Sequence, residues 1–365
     1  MVQPEPVIPG ADFQERLSKE EFPSMHQSLL PFAGSQGRWG RAVLATGCPR
    51  GGTTWLGRVL SLSQDSGYIF EPLTHTRHHK TSPADALKKF NRGTQRWILS
   101  WPPADEHELE HARAAARQVE ELFDAYFPAP VGTLIIKQPG IRHFLLLREL
   151  LQASACVYIR RHPVAILNSY CNSNLFDGWD TREQFRLFRS DLERMWPDLS
   201  YMLASAGHDR ELQVLAMCCT AHRLATYWEQ EGKLIVVEYE ELADGGPAYA
   251  VQLLKRLGLR LDEGKAAQLN SLFAPGRPQH GFLDTEKDSK SRAHAYTTEL
   301  APWQLRKARR YLESIGYDAP VPAQTTQARV AGTAEYCRRG MRVLQNSARA
   351  ALSHARNRAL RALGA

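Results

Sequence analysis

Ala42-Val43-Leu44-Ala45-Thr46-Gly47-Cys48-Pro49-Arg50-Gly51-Gly52-Thr53-Thr54-Trp55-Leu56 decides how the rest of this 365-residue chain reads. It opens with a short apolar run bounded by glycine, the pattern of a buried strand. Trp55, Leu56, Val59 and Leu60 then recur at helical spacing, so a strand passes into a helix through a turn of glycine and threonine. Backbone N–H groups converge at such a turn and the helix dipole adds partial positive charge, which makes an anion cradle. A turn that merely connects the two elements is the alternative. Five small or hydroxyl residues around one arginine, Arg50, favour the cradle.

Working outward, Gly67-Tyr68-Ile69-Phe70, Leu134-Ile135-Ile136, Cys156-Val157-Tyr158-Ile159 and Leu234-Ile235-Val236-Val237 are further strand candidates. Two of them run into a polar or basic residue, a proline and a helical segment, and the last precedes a helix that Gly258 ends. Strands alternating with helices predict an α/β fold, a parallel sheet covered on both faces. Ligands on such sheets bind at the carboxyl ends of the strands. Polar helical insertions at about 105–127 and 180–205 are too long for connectors and are expected to shape a substrate cleft. A further helix runs from Pro302 to Ile315 and stops at Gly316. Residues 1–40 read as a Pro-rich extension, 41–318 as the folded body, and 319–365 as a basic, Ala/Arg-rich helical tail.

The composition, 43% hydrophobic and 23% charged, is that of an ordinary globular chain. Its formal charge of +7 sits entirely in the tail: residues 321–365 hold eight arginines and one acid, Glu335, and residues 1–320 balance at 38 basic and 38 acidic. A nucleic-acid footprint would lie on the folded domain, so nucleic acid is not an expected partner. Six cysteines without a C-x-x-C pair argue against metal and disulfide frameworks. With no sequon, no secretory start and no apolar stretch near the roughly 20 residues of a membrane helix, a reducing cytoplasm is expected. In the tail, Arg342, Arg349 and Arg356 recur every seven residues beside a stripe of Leu344, Ala348, Leu352, Ala355, Ala359 and Leu363. That pattern fits an amphipathic helix on an anionic, inner membrane surface; a solvated tail and a contact with a second subunit fit it too.

Gly47 and Gly52 have the spacing of a Walker A loop, but Thr53 stands where that loop has its lysine. The lysine serves the β- and γ-phosphates of a nucleoside triphosphate, and a ligand with one 5′-phosphoryl group does not need it. Pro49-Arg50-Gly51-Gly52-Thr53-Thr54-Trp55-Leu56 closely resembles the 5′-phosphosulfate loop of the sulfotransferases that use PAPS (3′-phosphoadenosine 5′-phosphosulfate), P-[KR]-[SG]-G-[TS]-[TS]-W-L. Arg161-His162-Pro163, with Ser169 eight positions after the arginine, resembles the same family's 3′-phosphate motif, R-[DN]-P…S; His162 replaces the commoner residue. A guanidinium offers a phosphate two donors and a serine hydroxyl a third. Val236-Val237-Glu238-Tyr239-Glu240-Glu241-Leu242 and Leu312-Glu313-Ser314-Ile315-Gly316-Tyr317 resemble the family's V-x-Y-E-x-L and L-x-x-[LI]-G-Y segments, so the likeness spans about 41–318.

The resemblance implies a P-loop-like sheet and transfer of a sulfuryl group from PAPS to an acceptor, leaving PAP (3′,5′-adenosine bisphosphate) without a metal. It implies that Arg50, Gly51, Gly52, Thr53, Thr54 and Trp55 hold the 5′ end, and Arg161 and Ser169 the 3′-phosphate. Ser289-Lys290-Ser291-Arg292 stands where a late basic loop would close, with Lys290 and Arg292 as its charges, although the family's R-K-G is absent. Within this family the chain resembles the carbohydrate-type and bacterial-like members: Glu71-Pro72-Leu73 is like the carbohydrate-type segment, in which a glutamate of this region is the base; His75 is the alternative base. Lys137, in a K-x-P, is expected to meet the sulfuryl group or an anionic acceptor. Trp97, Trp101, Phe176 and Trp179 are candidates to stack on sugar rings or to fill a local core. The expected acceptor is a carbohydrate or glycolipid hydroxyl. The competing readings are a P-loop nucleotide kinase and a catalytically silent nucleotide-binding scaffold.

Overall fold

The computed structural model describes residues 38–73, 130–141, 144–172, 181–274, 293–321 and 324–339, with Met341 and scattered positions between 106 and 129. Its centre is a five-stranded parallel sheet in the order β2-β3-β1-β4-β5. The strands are β1 (Trp39–Gly47), β2 (Ser66–Phe70), β3 (Val131–Lys137), β4 (Ala155–Arg160) and β5 (Ile235–Glu238). Each contains or overlaps one of the apolar runs, extended at its ends by residues too polar or too small to mark a strand by sequence. The long stretch 105–127 lies mostly outside the described residues.

Alternation along β1 divides the core. Ala42 and Leu44 join one buried cluster, Val43 and Ala45 the other, as the two-residue period of a strand requires. On the first face lie α2 (Phe144–Leu150), α3 (Pro163–Asn172), α4 (Thr181–Met195), α5 (Pro197–Ala204), α6 (Arg210–Gln230) and, later in the chain, α10 (Pro302–Ser314). On the second lie α1 (Thr53–Leu60), α7 (Tyr239–Arg256) and α8 (Ala266–Phe273). Leu44, Ile135 and Val157 are wholly buried, and each such side chain contributes about 1.5–3 kcal/mol over exposure.

Two helices end as their glycines predict. Past α7, Gly258 takes φ +68°, with its own N–H on the Lys255 carbonyl and that of Leu259 on the Leu254 carbonyl. Past α10, Gly316 at φ +60° and Tyr317 repeat the arrangement on Glu313 and Leu312. Both are Schellman motifs, which a left-handed residue makes possible. The short α9 (Tyr296–Glu299) precedes α10. The first part of the tail forms α11, a helix over 326–339 that buries Ala328, Gly332 and Arg339 against the body.

His162 caps the start of α3: its Nδ1 accepts from the Val164 N–H at 3.2 Å, and its carbonyl accepts from Ala165 and Ile166. A histidine thus does what an Asp or Asn side chain does at other helix starts. The ring lies flat on Tyr296, 4.9 Å between centroids, and burial pushes its pKa down to about 4 from the usual 6.5. A cap that accepts a hydrogen bond must stay neutral. The folded pKa is below the unfolded one, so this stability is present above pH 6.5 and is lost as the pH falls toward 4. Thermal melts across that window are expected to fall more steeply for the wild type than for His162→Asn, which caps without titrating; superimposed profiles would rule out the neutral cap.

Candidate active site

The parallel register brings the strand ends to one edge. Ala45 lies opposite Lys137, Gly47 opposite Ile159, Phe70 opposite Lys137, and Arg160 opposite Glu238. The residues beyond these ends therefore share one rim, although they come from five separate parts of the sequence.

The loop after β1 is closed by the Gly51 N–H on the Cys48 carbonyl at 2.8 Å. Arg50 takes φ +67° to make that turn. The first α-helical bond of α1 runs from the Leu56 N–H to the Gly52 carbonyl. The amides of Gly52, Thr53, Thr54 and Trp55 thus open the helix with no preceding carbonyl to take them, a geometry that an anion cradle requires. Gly52 is required on two counts. Its φ is +98°, and a Cβ there would sit 2.5 Å from the Tyr239 ring. The Trp55 side chain packs against Tyr239 and Phe273 and donates to the Leu272 carbonyl at 3.2 Å. What it can offer a ligand at the loop is its amide.

The two phosphate motifs meet. Arg50 Nε donates to Ser169 Oγ at 3.0 Å, and Arg161 Nη1 donates to the Arg50 carbonyl at 3.1 Å. Among the described residues no carboxylate pairs with Arg50. Burial, reinforced by the nearby Arg161 charge, pulls its pKa down, so an anion here would relieve two guanidiniums at once. Arg161 lies over the Tyr239 ring at 4.4 Å. The preceding arginine is engaged elsewhere. Arg160 pairs with Glu238 across β4 and β5 and donates to Thr226 Oγ1 at 3.0 Å.

A third group lies at the ends of β2 and β3. Lys137, 1% exposed, forms an ion pair with Glu71, which is 9% exposed. Its ammonium is 4.4 Å from the Phe70 ring centre. Burial pushes the Lys137 pKa down while Glu71 pulls it up, and the charge on Arg50 adds to the downward side. Glu71 takes φ +50° and its N–H reaches the Lys137 carbonyl at 2.7 Å. Gln138 completes the turn: its Oε1 accepts from the Leu73 N–H at 3.0 Å, and its own N–H reaches the Ala45 carbonyl. A carboxylate, an ammonium and a loop arginine are thereby held at one end of a cradle whose other end is Arg161 and Ser169. That arrangement can bind a dianionic group, offset charge on a leaving oxygen and accept a proton.

Arg50, Gly51, Gly52, Thr53, Thr54, Arg161, Ser169, Glu71 and Lys137 are thus gathered on one rim. His75, Lys290, Arg292, Trp97, Trp101, Phe176 and Trp179 lie outside the described residues. Four participants have no role assigned from the sequence: Tyr239 under Arg161, Glu240 accepting from the His162 N–H at 3.1 Å, Gln138 behind Glu71, and Asn168 beside Ser169. Tyr239 and Glu240 stand in a quoted motif, so a signal existed for them; for Gln138 and Asn168 only the fold reveals the contact. Among the described residues no group of three or more His, Cys, Asp or Glu is arranged to hold a metal ion.

Solved structures of low similarity include mouse sulfotransferase SULT7A1 complexed with PAP, at 14% identity over 82% of this chain and 95% of that one, TM-score 0.40. They also include a sulfotransferase domain from the curacin biosynthetic pathway, 14% identical over 77% of this chain and 99% of that one, TM-score 0.37. Sulfotransferase STF9 from Mycobacterium avium is 14% identical over 82% and 83% of the two chains, TM-score 0.37. No curated protein matches the sequence. The family model described as the sulfotransferase family matches residues 42–263. That span runs from the middle of β1 to beyond α7, covers well over half of the chain, and takes in both phosphate motifs: the chain belongs to the sulfotransferase family.

Proposed function

We propose that this enzyme transfers a sulfuryl group from PAPS to the hydroxyl of a carbohydrate or glycolipid, with Glu71 as the base. The observation that carries the reading is the link Arg161–Arg50–Ser169, which makes one continuous surface of the two phosphate motifs. The residues fit such a donor: open amides and Arg50 for a 5′-phosphosulfate, Arg161 and Ser169 for a 3′-phosphate. When bound, PAPS supplies an SO₃ group on a good leaving phosphate.

The chain's part is alignment and charge compensation. The amides of residues 52–55 and Arg50 hold the 5′ end and offset negative charge as the sulfur–oxygen bond to the phosphate breaks. Arg161 and Ser169 fix the far end, so the reacting sulfur is held by two anchors rather than one. Glu71 accepts the acceptor's proton as the new sulfur–oxygen bond forms, and PAP is left. Lys137 holds that carboxylate in place through the ion pair, and its ammonium is the group that would meet a sulfuryl oxygen or an anionic acceptor. The likeness of Glu71-Pro72-Leu73 to the carbohydrate-type members supports a glycan hydroxyl. Thr53 in the lysine position of a Walker loop tells against a kinase.

The tail supports a peripheral site of action. Val330, Ala334, Cys337 and Met341 recur along α11 and just past it on a solvent-facing side, and eight arginines follow or flank them between 321 and 365. An apolar stripe among arginines suits an anionic, inner-leaflet lipid surface. Among the described residues no helix is long and apolar enough to cross a membrane.

In thermal-shift measurements PAP is expected to stabilise the protein more than Mg-ATP does, and Arg161→Ala to lose most of that shift. A larger shift with Mg-ATP would favour the kinase, and no shift with PAP would remove the sulfotransferase mechanism. With labelled PAPS and a panel of glycans, Glu71→Gln is expected to lose roughly 10²–10⁴-fold in turnover while keeping the PAP shift. If no acceptor is sulfated by the wild type, the silent scaffold stands. In sedimentation with phosphatidylserine vesicles, a chain ending at Pro322 is expected to bind less than the full chain; equal binding would remove the membrane role.

A further inference from the structure

We infer that α11 is a positioning element of the nucleotide site, acting through Arg339 on the helix that carries Ser169. This rests on the function proposed above. Arg339 is only 9% exposed, and a guanidinium is seldom buried unless it is paired. Its Nη2 donates to Asn168 Oδ1 at 3.2 Å and to the Glu299 carbonyl at 2.9 Å, and its Nε lies 3.5 Å from Glu335 Oε1. Asn168 in turn donates to Glu299 Oε2 at 2.8 Å, and Asn172 to the same oxygen at 2.7 Å. Two helices, α9 and α11, thus hold α3 through one polar cluster.

The next residue of α3 is Ser169, whose hydroxyl accepts from Arg50. A shift of Asn168 is therefore a shift of the 3′-phosphate ligand. The same α9 also meets the start of α3, since Tyr296 stacks on His162 beside Arg161. The neighbours of both residues assigned to the 3′-phosphate, His162 and Asn168, are thus held by a helix that α11 covers. The covering is close: Gln324 Nε2 donates to the Thr297 and Leu300 carbonyls at 2.9 and 3.0 Å. At Gly332 a Cβ would meet the Leu300 carbonyl oxygen at 2.1 Å, so only glycine lets the helix approach this far. A buried polar group is either paired or left unpaired at a cost, and this makes the contact a discrete latch rather than a soft one.

The experiment is titration of PAP and of 5′-AMP, well below the melting temperature, into the wild type, Arg339→Ala, Arg339→Lys and Gln324→Ala. For Arg339→Ala the Kd for PAP is expected to rise about fivefold or more, with 5′-AMP binding unchanged, because the brace acts on the 3′-phosphate ligands. Arg339→Lys, which keeps the charge and a donor, recovers part of that affinity. Gln324→Ala loosens the same helix without emptying a buried site; it gives a smaller loss of the same selectivity and serves if Arg339→Ala does not fold. A lowered melting temperature with both affinities intact, or equal losses for the two nucleotides, overturns the positioning role and leaves the enzyme assignment standing. A wild type that binds no PAP overturns both.

Discussion

The parallel pairing of β1 with β3 on one side and β4 on the other is the constraint on which the site depends. It fixes Gly47, Lys137 and Ile159 near one level of the sheet. Among the described residues, Arg50, Glu71, Lys137 and Arg161 then lie at or within a few residues of a strand end. Neither Glu71 nor Lys137 would be buried and paired without the Phe70–Lys137 register of β2 and β3. A slip of a single residue would turn each of these side chains to the other face of the sheet, so the same pairing that builds the core also specifies the rim.

Charge on that rim is arranged in two ways. At the Glu71 end a cation and an anion are buried together, a state that costs desolvation and is tolerated only because each satisfies the other. At the Arg50 end one guanidinium donates to a hydroxyl and the other to a carbonyl while lying over an aromatic face. Neutral bulk charge in residues 1–320 is compatible with this, because local placement rather than net charge sets the field in a cleft. The arginines of the tail are a separate matter. Arg339 is drawn into the fold, whereas Arg329 and Arg338 remain on the surface of the same helix.

Several features were legible in order of their physical simplicity. The β1 run and the helix after it show in the chain because burial on both faces demands continuous apolar residues. Gly258 and Gly316 show because a left-handed cap has few other solutions. Arg50, Arg161 and Ser169 stand out by motif spacing, but their mutual hydrogen bonds do not, since 119 residues separate Arg50 from Ser169. His162 reads in the sequence as a local replacement; the structure makes it the cap of α3, neutral by burial and stacked on a residue 134 positions later in the chain.

By itself the sequence determined an alternating strand–helix order, the residue types after each strand, and the family to which they belong. Those depend on local spacing: apolar periodicity, glycine at turns, an arginine next to small residues. Tertiary structure alone decided that Arg160 pairs with Glu238, that Glu71 and Lys137 are partners, that Tyr239 supports Arg161 and excludes a side chain at Gly52, and that the start of the tail is a part of the body. Each of these is a contact between distant segments. A buried charge or polar group is made acceptable by whatever lies opposite it, and the opposite group is chosen by strand order and helix packing, which no local pattern encodes.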